Sequence, residues 1–139
     1  MRARFRSAGA TIVAVSVMAV LAGCVGGTSD FAVLEREPGP GDALPDLPGY
    51  AFDDLDMSSA RFVGEHDGTD VWLARSGDSV VGLGVCLIVS PEGGDWHVAC
   101  GGTGQLEIDG PGGRFEIRPD DSPTPEGATA VSENVFAFD

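Results

Sequence analysis

Three cysteines and two histidines are the side chains of this sequence best suited to covalent or acid–base chemistry. Cys86 and Cys100 flank the turn-forming run Pro91-Glu92-Gly93-Gly94-Asp95. If antiparallel strands pair about residue 93, paired numbers sum to 186, and the two Cys stand directly opposite each other. Directly opposed, non-hydrogen-bonded residues lie close enough for a disulfide. A redox dithiol usually shows Cys-x-x-Cys. Two thiols are too few for a structural zinc site unless both His join. The spacing therefore predicts a structural Cys86–Cys100 disulfide. In an oxidising compartment a loop of that size contributes about 3 kcal/mol.

His66 and His97 are the only side chains poised for acid–base work near neutral pH. Neither sits in a nucleophile motif: no Gly-x-Ser-x-Gly, His-Glu-x-x-His or phosphate loop occurs. Both precede or follow turn residues, so the simplest expectation is two exposed histidines at strand ends. A small extracytoplasmic hydrolase built on His66 or His97 is the catalytic alternative. Acidic runs at Asp53-Asp54-Leu55-Asp56 and Asp120-Asp121 are candidate oxygen ligands for a divalent cation. Neither has the alternating acids and closing Glu of an EF-hand. Solvated charge is their expected role, and no catalytic, cofactor or metal residue is assigned.

The charge narrows the partners. The 139 residues carry a net charge of −14. Neutralising nucleic-acid phosphates needs a basic face, so no nucleic-acid partner is expected. Anionic lipid headgroups are excluded as an electrostatic target for the same reason. The hydrophobic fraction of 42% supports a folded core.

The first elements serve delivery. Arg2, Arg4 and Arg6 form a positive region, followed by an uncharged apolar or small stretch from Ala8 to Ala22. That stretch is short for a membrane span and fits the hydrophobic part of a signal peptide. It ends in Leu21-Ala22-Gly23-Cys24, with small residues before a thiol nucleophile. This resembles the lipobox of bacterial lipoproteins. The resemblance implies a signal peptide over 1–23, cleavage before Cys24, a diacylglyceryl group on its thiol and a fatty acyl chain such as palmitate on its new amino group. The chain would then be held to the cell membrane by lipid, on the extracytoplasmic side. What remains has 116 residues with 5 Arg and 22 acids, a charge of −17. Such a surface repels anionic lipid, so the acyl chains must do the anchoring.

Residues 24–56 read as the lipidated Cys and a flexible tether. Gly26-Gly27, Pro38-Gly39-Pro40-Gly41, Pro45 and Pro48-Gly49 leave no helical or strand period. A flexible chain of that length spans roughly 25–30 Å. Phe31-Ala32-Val33-Leu34 is a partial exception, apolar enough for a helical turn. A further turn is expected at Asp53–Ala60.

Residues 57–139 read as a small all-β domain of six or seven strands. The expected architecture is an antiparallel sheet, sandwich or partly open barrel built from consecutive hairpins. Asp67-Gly68 turns the first hairpin, Arg61 to Arg75, with pairs summing to 135. The second runs from Val80 to Gly101, and its Val85-Cys86-Leu87-Ile88-Val89 predicts a central strand buried on both faces. The third, Gln105 to Arg118, pairs on a sum of 223 and alternates apolar with polar residues. Val135-Phe136-Ala137-Phe138 predicts a last strand docked on the core.

Arg61 to Glu65, Cys86-Leu87 and Trp96 to Gly101 together resemble strands of small actinobacterial lipoproteins. That resemblance implies no particular activity and carries over no catalytic residue. The expected function is a non-catalytic envelope lipoprotein that binds a protein or ligand. A hydrolase and a divalent-cation binder are the alternatives.

Overall fold

A computed structural model describes residues 30–77, 84–102 and 105–139. The signal segment and Cys24 lie outside the described residues. Among the described residues eight antiparallel strands form two four-stranded sheets. The first sheet holds β1 (Leu55–His66), β2 (Thr69–Ser76), β3 (Val85–Pro91) and β4 (His97–Gly101), in the order β1-β2-β3-β4. The second holds β5 (Leu106–Gly110), β6 (Gly113–Ile117), β7 (Ala128–Ala130) and β8 (Val135–Phe138), in the order β5-β6-β8-β7. The chain is an open all-β sandwich rather than a closed barrel, with more strands than the six or seven expected.

The period-2 alternation decides what is buried. Val71, Leu73, Leu87 and Val89 of the first sheet meet Ile108, Phe115, Ile117 and Val135 of the second in one core. The opposite face of the first sheet presents Trp72, Ala74, Cys86 and Ile88 to a second apolar cluster. Val85, Cys86, Leu87, Ile88 and Val89 are all buried, as expected of a strand flanked on both edges and covered on both faces.

The cover on that outer face corrects the flexible-tether reading for residues 30–56. This stretch makes three short 3-10 turns, Ala32–Glu35, Pro40–Asp42 and Gly49–Phe52. Phe31 and Leu34 enter the core between the sheets. Leu44, Leu47 and Phe52 pack on the Trp72 side. The Pro and Gly that break helix and strand here support a fixed irregular path, because side chains take over the backbone's hydrogen bonds. Asp42 is the main fastener. One of its oxygens accepts from Arg36 Nη2 (2.5 Å) and the Phe62 amide (2.9 Å). The other accepts from Arg36 Nη1 (2.6 Å) and the Gly39 amide (2.7 Å). The Arg36 guanidinium, ahead of those amides, holds the Asp42 carboxyl far below the usual carboxylate range despite burial. At the other end, Asp120 accepts from the Ala32 amide (2.7 Å).

Of the turn expected at Asp53–Ala60, Asp53 and Asp54 do turn, but from Leu55 the chain is already β1, with a register irregularity between Asp56 and Arg61. Asp56 accepts from the Ser58 amide (3.0 Å) and hydroxyl (2.6 Å), which satisfies the excess residues locally. The first hairpin keeps the expected sum of 135 from Gly64 to the turn, then shifts by one at a bulge between Phe62 and Gly64. Phe62 therefore faces Trp72 rather than Leu73, and their rings meet edge-on at 5.3 Å. Gly64 is required there: its φ is +152°, and a Cβ would lie 2.8 Å from the Val131 side chain and 2.9 Å from its carbonyl oxygen. The sums of 186 and 223 hold throughout hairpins two and three.

Candidate functional site

The floor of one open cleft among the described residues is a row of three residues across three strands. Glu65 of β1 is paired with Asp70 of β2, which is paired with Ser90 of β3. Pro45, Asp46, Leu47, Gly68, Pro91, Glu92 and Gly93 complete the lining of an open cleft of about 460 Å3. Four carboxylates and no basic side chain line it. Two acids directly opposite each other oppose strand pairing. Glu65 offsets this in part by accepting the Gly68 amide (3.0 Å). The segment once read as tether thus supplies a wall of the cleft.

Each Arg of the described residues is engaged elsewhere. Arg36 pairs with Asp42, Arg75 with Glu35, Arg114 with Glu107 and Arg118 with the buried Glu116. Arg61 is buried without a carboxylate. Its guanidinium donates to the Arg36 carbonyl (3.0 and 2.7 Å) and to those of Ser58 (3.0 Å) and Ala60 (2.8 Å). Arg36, Arg61 and Arg75 stitch the segment before β1 to the sandwich, and no Arg enters the cleft lining.

The two histidines differ from the expected pair of wet strand ends. His97 points inward. Both its ring nitrogens are buried and neither makes a well-formed hydrogen bond, the Pro111 carbonyl giving only a weak contact, and the ring lies over Gly110, where a Cβ would be 3.3 Å from it. Burial pushes its imidazole below the ordinary value, against a smaller opposing pull from the Pro111 carbonyl. Nothing orients it for proton transfer, which a hydrolytic role requires. His66 is only 19% exposed at its side chain and stands edge-on to the Phe115 ring at 6.4 Å. Its Nε2 lies 3.5 Å from an Asp67 oxygen and 3.6 Å from an Asp139 oxygen.

Cys86 and Cys100 are joined, with Cα atoms 4.0 Å apart. That separation matches a directly opposed, non-hydrogen-bonded pair rather than a hydrogen-bonded one. The acidic runs do not converge on a common point. Asp56 caps the β1 irregularity, and Asp120 clamps the Phe31 segment while accepting from Asn134 Nδ2 (2.8 Å). Among the described residues the one group of three or more such side chains with metal-ligand spacing is His66, Asp67 and Asp139. Sequence reasoning missed Asp42 and Arg61, whose partners are non-local. It also missed Asp139, since no local motif joins it to His66.

Comparison with protein-family models, curated proteins and solved structures gives no match.

Proposed function

We propose that this chain is a lipid-anchored, extracytoplasmic binding module whose acidic cleft receives a cationic ligand. The observation that carries the reading is the Glu65–Asp70–Ser90 floor with Asp46 and Glu92 beside it. Like charges held opposite each other on rigid strands cost stability, and a bound cation recovers it. A ligand with two or more amino groups fits an open cleft lined by separated carboxylates. The signal segment and Cys24 support delivery to the outer side of the cell membrane, and the Cys86–Cys100 disulfide supports an oxidising compartment.

The test is titration of the full-length chain in detergent with spermine at two salt concentrations. Saturable binding that weakens with salt and falls at least tenfold in Glu65→Gln, Asp70→Asn is the expected result. Equal binding by the double variant would refute the cleft. The anchor is tested separately by Cys24→Ser, which should abolish palmitate incorporation and partitioning into detergent.

A further inference from the structure

We propose that His66, Asp67 and Asp139 form a zinc site that ties the two sheets together. Two are neighbours in sequence and the third comes from the other sheet. His66 ends β1, Asp67 sits in the β1–β2 turn, and Asp139 follows β8 of the opposite sheet. Their ligand atoms all lie within 4.8 Å of one another.

The distances are compatible with a bound ion. A charge-assisted hydrogen bond between imidazolium and carboxylate closes to about 2.7–2.9 Å. Here both carboxylates stop at 3.5 and 3.6 Å from His66 Nε2. A tetrahedral zinc with bonds of about 2.0–2.2 Å holds neighbouring ligand atoms roughly 3.3–3.6 Å apart. Two of the three edges already have that length. The third closes by rotation of the Asp67 and Asp139 side chains, each 84% exposed.

The placement is also prepared. The His66 ring is held by Phe115, and Asp67 takes φ +48° beside Gly68 at φ +74°, which fixes the turn. A neutral imidazole and two carboxylates compensate a dication and leave one tetrahedral position for water. The donor set selects the metal. Imidazole suits zinc, whereas calcium and magnesium require oxygen ligands in larger number. The net charge of the chain concentrates cations around it. The site is distinct from the cleft, because successive residues Glu65 and His66 point to opposite faces of β1.

The test is calorimetric titration of the chelator-treated full-length chain with ZnCl2, alongside thermal melts. One zinc per chain and a rise in Tm of several degrees are expected, with no rise from MgCl2. His66→Gln and Asp139→Asn should each weaken binding at least tenfold, while Asp70→Asn in the cleft leaves it unchanged. A zinc-induced shift of the His66 Nε2 resonance, with His97 unmoved, would report ligation directly. Wild-type affinity in His66→Gln, or loss of binding in Asp70→Asn alone, would overturn the proposal. So would the absence of stoichiometric binding.

Discussion

Replacing Asp42 by Asn tests whether the chain before β1 belongs to the fold. Each Asp42 oxygen accepts from two donors, one from Arg36 and one from a backbone amide. An amide side chain has one acceptor and one donor end, so either rotamer sets its NH2 against two N–H groups. Hydrogen bonds to a charged group contribute about 1.5–3 kcal/mol each. Breaking a buried pair costs about 3–5 kcal/mol. Arg36 is 43% exposed and can turn to water, which favours the low end. The expected loss is therefore about 3 kcal/mol, or roughly 10–20 °C in Tm for a domain near 100 residues.

The same carboxylate sets an acid limit. Its folded pKa lies below its unfolded value of about 3.9, so its contribution is complete above that pH and is lost as pH falls toward the folded pKa. Wild-type stability should drop steeply below about pH 4, and Asp42→Asn should lack that part of the drop. Thermal melts by circular dichroism at pH 7 and pH 3 read both effects. Amide exchange at Phe62 should also accelerate in the variant. A Tm within 2 degrees of wild type at pH 7 would show that residues 36–42 are not fastened as described, and would refute the reasoning.

Four further outcomes are expected. Cys86→Ala, Cys100→Ala should lose about 3 kcal/mol by the chain-entropy argument, and dithiothreitol should produce a matching shift in the wild type alone. Gly64→Ala should lower stability by roughly 2–4 kcal/mol through the clash with Val131, seen as a reduced urea midpoint at constant slope. His97 has its pKa depressed by burial, so its neutral packing stabilises above the unfolded pKa of about 6.5 and weakens as pH falls below it; His97→Leu should become relatively more stable than wild type between pH 6.5 and 5 in denaturant titrations. Arg61→Lys should cost about 2 kcal/mol in thermal melts, because one ammonium cannot reach the carbonyls of Arg36, Ser58 and Ala60 together.

Local chemistry explains which parts of this fold were legible. Hairpins two and three are closed by Gly-rich turns and carry no bulge, so counting back from the turn gave the correct partners, Cys86 with Cys100 and Ile108 with Phe115. Hairpin one departs from the expected register beyond Gly64, at a bulge where the Gly64 backbone packs against Val131, far along the chain. Residues 30–56 were misread because Pro and Gly report the absence of regular structure and not the absence of order. Their order comes from Asp42, Arg61 and Asp120, whose partners lie far away in sequence and follow no period. The apolar run Phe31-Ala32-Val33-Leu34 was the one local sign, and two of its four residues are buried in the core. Metal-ligand motifs are read at short spacing, so Asp139 was invisible beside His66.

That correction changes the mechanics of the proposed anchor. A tether running to residue 50 or beyond would hold the domain well clear of the bilayer. Asp30 stands six peptide steps from Cys24, which reach at most about 20 Å at full extension. If Cys24 carries the proposed lipid, an acidic sandwich on so short a leash would experience the surface potential of the membrane, which falls off within a Debye length of about 8 Å. Under that proposal, repulsion from anionic headgroups would turn the acidic cleft away from the lipid. A cationic ligand would then approach from the side facing away from the lipid. Inserting ten Gly-Ser residues after Cys24 should leave spermine affinity in detergent unchanged. In vesicles rich in anionic lipid, the same insertion should reduce any difference in affinity between membrane-bound and detergent-solubilised protein. An unchanged difference would mean that the short leash does not govern how the cleft is presented.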